Sequence, residues 1–428
     1  MFNTLDTIET QIEITENPFN LTIEDLFTMA ARINKKRSFL FVSKVLGKHL
    51  PIQPNIGLLT SALLAIQYLE MVKGIECQEK ERLLDSFERN KKYTSDAFIP
   101  STIKPLIIGF AETATALGHA FFDCFNSADY FHTTREEIPE LKPEITFEEE
   151  HSHATSHRCY IPKAMIQNIR EIILVDDEMT TGKTALNIIQ SIHAQFPRQE
   201  YTVVSILDWR SNENKQLFKQ LEKKLGITIH AVSLLSGNVN VKQVTDLSEK
   251  IVANKTNKPA NSEIEFLQLS QFFSEAAIPS SKKLIQETGR FGINSAYKPN
   301  FQEKIAKAAA LLRQKRTDGK TLCLGTGEFM YIPMALAAAM GQNVFFQSTT
   351  RSPIHIENCE GYGARYGVTF ANPEEPSITH FIYNIQPGYY DDIFIFFERK
   401  VEIESLRPLL KELEKIQVKS IKLVFFTE

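Results

Sequence analysis

No stretch of this chain is apolar for long enough to cross a bilayer. The longest strongly apolar run, Phe329 to Met340, is broken by Pro333 and falls well short of the roughly 20 residues a spanning helix needs. An excess of positive charge is lacking as well. Lys and Arg total 48 against 52 Asp and Glu, a formal net charge of −4, so no general attraction to nucleic acid is expected and any anion site has to be local. Cysteine is scarce: Cys77, Cys124, Cys159, Cys323 and Cys359 are far apart and form no CxxC pair. That pattern fits buried free thiols in a reducing compartment better than a disulfide frame. The N-terminal MFNTLDTIETQIEITENPF is acidic and lacks a basic segment followed by an apolar core. No secretory signal is therefore expected, and a cytoplasmic location is the expectation.

What is present is an ordinary globular composition, with 43% hydrophobic and 23% charged residues, which argues against disorder and fibrous classes. A chain of 428 residues exceeds one ordinary core and predicts two domains. Apolar positions from Leu21 to Arg32 recur at helical spacing behind Thr22, predicting a first helix, and Leu58 to Val72 predicts a second. From Pro105 onward β-rich runs alternate with helical stretches: PLIIGF, Ala114 to Phe122, DYFHTT, EIILV, Lys183 to His193, YTVVSIL. Such alternation predicts an α/β fold with a parallel sheet and crossover helices.

A shift to Lys, Asn, Pro, Ser and Glu over 248–283 predicts a linker between a first domain, 1–247, and a second α/β domain, 284–428. In the second domain the alternation resumes with Phe301 to Lys315, TLCLGTG, a helix through Met340, NVFFQSTT, THFIYNI, DIFIFF, Ser405 to Lys415 and IKLVFFT. The two domains either repeat one another or have converged on a similar strand-loop-helix-strand pattern. Sliding the chain by 216 positions lays Gly109 and Glu112 on Gly325 and Glu328, and Thr133-Thr134-Arg135 on Thr349-Thr350-Arg351, without a gap. The identities fall at two strand ends, where α/β sheets bind ligands.

The most informative segment is Ile172-Ile173-Leu174-Val175, a buried-strand pattern that stops at Asp176-Asp177-Glu178 and passes through Met179-Thr180-Thr181-Gly182-Lys183-Thr184 into a helix. Three acids beside an apolar strand are costly to bury, but at the carboxyl end of a central strand they face a crevice and accept hydrogen bonds from a polyhydroxyl ligand. The hydroxyl-rich, glycine-containing loop can turn its amides toward an anion at the helix N-terminus. Together they specify a sugar phosphate. A nucleotide-triphosphate P-loop is disfavoured, since the position five before Gly182 is Asp177 rather than glycine. Met330 likewise stands where a dinucleotide fingerprint after Gly325-Thr326-Gly327 needs its third glycine.

IILVDDEMTTGKT closely resembles the sugar-diphosphate signature of type I phosphoribosyltransferases. The resemblance implies that Asp176 and Asp177 bind the ribose hydroxyls and that Thr180, Thr181, Gly182, Lys183 and Thr184 wrap the 5′-phosphate. Glu178 departs from the family's usual small or aliphatic residue, which leaves its role open. Gly109, Ala111, Glu112 and Thr113 resemble the family's diphosphate loop in placement; a tight turn with N-capping threonines is the other account of them. Arg135 either holds the departing diphosphate or pairs with Glu136 or Glu137. The long polar segment from Glu136 to Arg158 is either a disordered loop or a lid like the family's, with His151, His153 and His157 as its candidate diphosphate contacts. Cys159 extends that cluster toward a metal site, although the spacing fits no common zinc pattern. Lys44, Lys48 and His49, in a segment placed like the family's N-terminal hood (about 20–60), are either acceptor or diphosphate contacts or part of a solvated helix face.

RSFLFVSKVLGKHLP, GFAETATALG, FEEEHSHATSH, VDDEMTTGKT, LDWR and STTRSPI, taken together, are similar to one fused architecture. It is a type I phosphoribosyltransferase followed by a TRSP domain, quoted as Thr350-Arg351-Ser352-Pro353, of the kind encoded with tellurite-resistance and stress-response genes. The resemblance implies a pentosyltransferase that takes phosphoribosyl diphosphate with Mg²⁺ and a base-like acceptor to make a nucleotide- or nucleoside-like compound. Its partners are then small molecules, with no membrane or nucleic acid, and a homodimer is left open. A module that senses the sugar diphosphate without turning it over is the alternative. The second domain keeps Gly325, Thr326, Gly327, Glu328, Thr350 and Arg351 but has no Asp-Asp pair or Thr-Gly loop after DIFIFF. A degenerate copy is expected, which either binds another anion there or completes the first site.

Overall fold

The architecture is that of a computed structural model, which describes residues 2–4, 8–32, 39–93, 96–148, 156–243 and 262–428. An antiparallel pair, β1 (Phe2–Thr4) and β2 (Ile8–Glu16), opens the chain. A single turn, α1 (Ile23–Leu26), leads into the antiparallel hairpin β3 (Phe27–Ala31) and β4 (Phe39–Ser43). The helix expected over Leu21 to Arg32 therefore stops after one turn. Its start signal operates, because the Asp25 carboxylate accepts from Thr22 N and Thr22 Oγ1 at 3.2 and 2.6 Å. Beyond Leu26, pairing with Phe39–Ser43 and the bridges Met29 to Tyr362 and Arg32 to Ile354 outweigh helical spacing. Helix α2 (Pro54–Met71) then starts with its proline in the first turn, where no amide is needed, and α3 (Lys80–Glu88) follows.

Next come β5 (Leu106–Gly109), α4 (Ala114–Asp123), β6 (Asp129–His132), the hairpin β7 (Ile145–Glu148) and β8 (Ser156–Cys159), and α5 (Lys163–Ile166). They are followed by β9 (Ile172–Val175), the short β10 (Glu178–Met179), α6 (Lys183–Gln195), β11 (Glu200–Asp208), α7 (Asn212–Leu225) and β12 (Thr228–Gln243). Strands β12, β11, β9, β5 and β6 lie side by side in that order, all parallel, and β2 joins β12 antiparallel. Every residue of β5 and β9 is buried, as continuous apolar runs in a sheet covered on both faces require.

Next in the chain come β13 (Glu263–Gln268), β14 (Ile293–Asn294), which edges the first sheet, α8 (Lys298–Arg313), β15 (Thr321–Gly325), α9 (Tyr331–Ala339) and β16 (Val344–Ser348). The hairpin β17 (Gly367–Asn372) and β18 (Glu375–Tyr383), then β19 (Asp392–Phe397), α10 (Ile403–Glu414) and β20 (Ser420–Phe425), follow. In this second unit the parallel sheet runs β13-β20-β19-β15-β16. That is the order of the first sheet, with β13 in the place of β12.

Of the segment expected as a linker, residues 248–261 lie outside the described residues and Glu263–Gln268 is a sheet strand. Residues beyond 284 first edge the other sheet: β14 pairs antiparallel with β6, and Leu284 and Phe291 pack with Ile138 and Tyr160. The repeat itself extends to hydrogen bonds. Ala111 N donates to Thr133 Oγ1 and Gly327 N to Thr349 Oγ1, both at 2.9 Å. Thr133 Oγ1 and Thr349 Oγ1 each lie 2.8 Å from a buried histidine, His157 and His380.

One apolar core runs from the first sheet through α2, α4, α8 and α9 into the second. The apolar run that holds Pro333 is thus a helix between two domains. The hairpin β3–β4 is clamped by the second unit: Ala30, Leu40 and Val42 pack on Ile354, Ile356 and Tyr362. Tyr362 Oη accepts from Ala31 N at 2.9 Å, and Gly363 N donates to Met29 O at 2.8 Å. All five cysteines are free thiols, four of them buried. Among the described residues no helix is long and apolar enough to cross a membrane.

Candidate active site

Strand β5 is followed by α4 and then by β6 on one side, whereas β9 is followed by α6 and then by β11 on the other. Right-handed crossovers in opposite directions place the two helices on opposite faces and open a crevice at the carboxyl ends of β5 and β9. Gly109 pairs with Val175 and, on its other side, with His132. Three chain segments therefore leave neighbouring strand ends: Asp176–Thr184, Phe110–Thr113 and Thr133–Arg135.

Asp176 and Asp177 stand at the end of β9, half-buried, with Asp176 N bonded to Val204 O at 2.9 Å and Ile206 N to Asp177 O at 3.1 Å. Asp177 N also donates to Asp176 Oδ1 at 2.9 Å. Glu178 lies in β10, opposite Leu207 of β11, so its backbone extends the sheet past the acids. Thr180, Thr181, Gly182, Lys183 and Thr184 are half-buried and carry the chain into α6, thirteen residues long, whose amide end faces the same crevice mouth.

Gly182 has φ +72°, and a Cβ there would lie 2.6 Å from Phe218 Cε2 and 3.0 Å from Arg210 Cδ. The turn is supported from beneath by a buried pair that sequence reasoning left without a role. Arg210 donates Nε and Nη2 to Asp208 at 2.9 and 2.7 Å and lies 4.2 Å from the centre of the Phe218 ring. LDWR is thus the support of the phosphate-type loop. Gly226 offers an internal comparison, with φ +67° and no atom within 4 Å. Gly226→Ala is expected to cost about 1–2 kcal/mol for the left-handed backbone, and Gly182→Ala about 2–4 kcal/mol because crowding is added. Denaturant unfolding of the two variants checks this, and equal losses would remove the packing term.

On β5, Gly109 and Ala111 are buried and Thr113 is half-buried at the start of α4. Glu112 is 6% exposed, and its Oε1 lies 2.8 Å from Lys48 Nζ. Lys48 Nζ donates further to Thr349 O at 3.0 Å and Gly327 O at 3.3 Å. Burial draws the Lys48 ammonium below its ordinary pKa, and Glu112 beside it pulls the other way. Burial pushes the Glu112 carboxyl up, but Lys48 and Arg135 beside it outweigh that and hold it at about 2.

The hood candidates are therefore not brought together. Lys48 sits between the two domains rather than on a solvated helix face, and exposed Lys44 donates to Glu24 O at 2.8 Å. His49 is buried, and burial lowers its pKa to about 3, so it is neutral. The hood contributes aromatics instead: the rings of Phe27 and Phe41 lie 5.8 and 5.3 Å from that of Trp209, whose amide bonds Met179 O at 2.8 Å.

Arg135 is 19% exposed and pairs with neither Glu136 nor Glu137. Its Nη1 lies 3.7 Å from Glu112 Oε2, while Glu136 pairs with Lys282 and Arg399, and Glu137 with Arg158. The main chain at Arg135 is held from the second domain. Arg135 N donates to Glu328 Oε1 at 2.7 Å, and Thr134 Oγ1 to Glu328 Oε2 at 2.6 Å. His151 and His153 lie outside the described residues. His157 is buried against Thr133, and among the described residues no three His, Cys, Asp or Glu side chains are grouped to hold a metal ion.

The corresponding place in the second unit is closed. Thr326, Gly327, Glu328 and Arg351 line a cavity of about 40 Å³ together with Glu136 and Glu374, room for no more than a few water molecules. Where the first unit has its acid pair, Glu398 is bound by both terminal nitrogens of Arg290 at 2.8 and 2.9 Å, and Arg399 Nη1 lies 2.7 Å from Glu136. Thr350 Oγ1 accepts from Ser352 N at 3.1 Å, and Arg351 faces Glu375 at 3.6 Å. Burial raises Glu374 to about 7 against the opposing pull of Arg399. The place that another anion was one of two candidates to fill contains the protein's own ion pairs.

Comparison with known proteins gives two family matches in succession along the chain. A phosphoribosyl transferase family model matches residues 26–238, and a model of the TRSP domain C-terminal to it matches residues 287–413. No curated protein matches the chain. Among solved structures it is similar to adenine phosphoribosyltransferase from Trypanosoma brucei, with 17% identity over 30% of this chain and a TM-score of 0.23. The chain spans 55% of that protein's length. The Thermoanaerobacter pseudethanolicus adenine enzyme is 13% identical, over 49% of this chain and 96% of that one, with a TM-score of 0.28. Orotate phosphoribosyltransferase from Aeropyrum pernix is 13% identical over 31% and 59%, with a TM-score of 0.18. From its two matched families in this order, the chain belongs to the phosphoribosyl transferases that carry a TRSP domain at their C-terminal side.

Proposed function

We propose that this chain moves the 5-phosphoribosyl group of phosphoribosyl diphosphate, delivered with Mg²⁺, onto a nitrogen of a base-like acceptor. The product is a nucleotide- or nucleoside-like metabolite, used in tellurite or stress resistance in the settings where this fused architecture is encoded. The carrying observation is the adjacency of two carboxylates, a hydroxyl-rich loop at a helix N-terminus, and the Gly109–Thr113 loop on the next strand. Asp176 and Asp177 accept from the ribose hydroxyls and fix the sugar. Amides and hydroxyls from Thr180 to Thr184 hold the 5′-phosphate. The C1′–O bond to diphosphate then breaks as the acceptor nitrogen bonds C1′, and the proton on that nitrogen passes to solvent or to the departing diphosphate.

Positioning and charge stabilisation are the main sources of rate in such a site. Arg135 is the nearest cation of the β6 strand end to the diphosphate loop. Because its guanidinium also faces Glu112 at 3.7 Å, part of its charge is already balanced. That feature favours, as a second reading, a module that binds the sugar diphosphate and leaves it intact. Incubation with phosphoribosyl diphosphate, Mg²⁺ and a panel of bases separates the two: transfer gives base-dependent diphosphate release, and sensing gives saturable binding with intact ligand. Neither binding nor release would end both readings.

A further inference from the structure

The two matched families leave open what the second domain does for the first. Its own crevice is closed by ion pairs, yet its loop after β15 reaches out of that domain. Glu328 there is bonded not to its own strand ends but to the first domain's: Thr134 Oγ1 at 2.6 Å and Arg135 N at 2.7 Å, while Glu328 O accepts from Thr115 Oγ1 at 3.0 Å. The internal repeat shows what is unusual in this. Glu112, the equivalent of Glu328, does not make the reciprocal bonds. Thr134 Oγ1 and Thr350 Oγ1 each accept from the amide two residues on, but of the two Thr134 Oγ1 alone also donates to the other domain's glutamate, and Glu112 turns to Lys48 instead. The exchange therefore runs one way, from the degenerate copy to the copy that kept its acids.

We infer that Glu328 is a positioning residue for the first site: the TRSP domain reaches across to fix the Thr134–Arg135 peptide and so sets the direction of the Arg135 side chain toward a diphosphate beside the Gly109–Thr113 loop. This rests on the phosphoribosyl-transfer reading above. A carboxylate accepting from a backbone N–H and a hydroxyl at these lengths makes two strong bonds. They hold the two consecutive residues, Thr134 and Arg135, that lead from β6 into the crevice. Lys48 adds a second tie between the two domains, through Glu112 of the β5 loop on one side and Gly327 O and Thr349 O on the other.

The geometry separates two ligand halves. Diphosphate lies by Arg135 and the β5 loop, and ribose 5-phosphate by Asp176 to Thr184. Isothermal titrations of Glu328→Ala and Glu328→Gln with inorganic diphosphate plus Mg²⁺, and separately with ribose 5-phosphate, read them apart. Glu328→Ala is expected to weaken diphosphate at least about tenfold while ribose 5-phosphate stays within about twofold. Glu328→Gln, which keeps one acceptor oxygen, should recover part of the loss, and supplies the measurement if the alanine variant does not fold. Equal weakening of both ligands, or none of either in the folded glutamine and alanine variants, overturns the inference. If the unaltered protein binds neither ligand, the phosphoribosyl reading itself fails, and the inference falls with it.

Discussion

Asp176→Asn with Asp177→Asn is expected to lower affinity for phosphoribosyl diphosphate by about 100-fold or more, since each charged hydrogen bond to a sugar hydroxyl contributes about 1.5–3 kcal/mol. Transfer should fall at least as far. The fold should be nearly unaffected. The bonds that anchor this turn to the sheet, Asp176 N to Val204 O and Ile206 N to Asp177 O, are main-chain bonds. The amide oxygen introduced by Asp176→Asn could still accept from the following main-chain N–H, as Asp176 Oδ1 does now. Neither acid is fully buried, so stability should change by less than about 1 kcal/mol. Calorimetric titration and thermal unfolding on the same preparation separate these effects. Unchanged affinity in a folded double variant would mean that the acids do not hold the sugar.

Lys48→Met is expected to be the most destabilising single change. It leaves Glu112, 6% exposed, with Arg135 at 3.7 Å in place of an ammonium at 2.8 Å. Removing one partner of a buried pair costs about 3–5 kcal/mol, because the remaining charge is uncompensated. Here the loss also takes the Lys48 donor from Thr349 O and from Gly327 O, which keeps Ser348 Oγ at 3.1 Å, so it should loosen the contact between the two domains. Adding Glu112→Gln to Lys48→Met should restore at least half of the loss, since a neutral amide is far cheaper to bury.

The same pair predicts a pH dependence. Glu112 is held at about 2, below the ordinary 4.5, so the folded state binds fewer protons than the unfolded one between those values. Its stabilisation is fully present above about pH 4.5 and is lost as the pH falls toward about 2, on the order of 3 kcal/mol in all. Lys48→Met should flatten that part of the stability profile. Denaturant unfolding from pH 7 to pH 3 measures it; a parallel profile in the variant would show that Lys48 does not hold Glu112 ionised.

The parts of this molecule that were legible in the sequence are those whose cause is local. Ile172–Val175 reads as a buried strand from four apolar residues, and the acids and Thr-Thr-Gly that follow leave few alternatives for the turn at its end. Both sheets and the repeat at an offset of 216 follow from the same kind of pattern. What was misjudged depends on partners far along the chain. Phe27–Ala31 has helical spacing, but its fate is set by Phe39–Ser43 and by Tyr362, more than 300 positions away. Glu263–Gln268 has the composition of a linker end, and becomes a strand because Ser420–Phe425 offers a parallel edge. Lys48 was visible as a base near a glycine. Its role was not, because Glu112, Gly327 and Thr349 meet it only in the fold. For Arg210, a WR pair after an apolar strand was the available signal, and the need to support a left-handed glycine could have been asked of it.

Although the chain contains the architecture twice, one sugar-diphosphate site is expected in it. Titration of the full-length protein with phosphoribosyl diphosphate and Mg²⁺, read as stoichiometry, tests this most directly. One equivalent bound per chain, abolished by Asp176→Asn with Asp177→Asn and unaffected by Glu375→Gln at the closed second cavity, is the predicted result. Two equivalents per chain, or none, would contradict it.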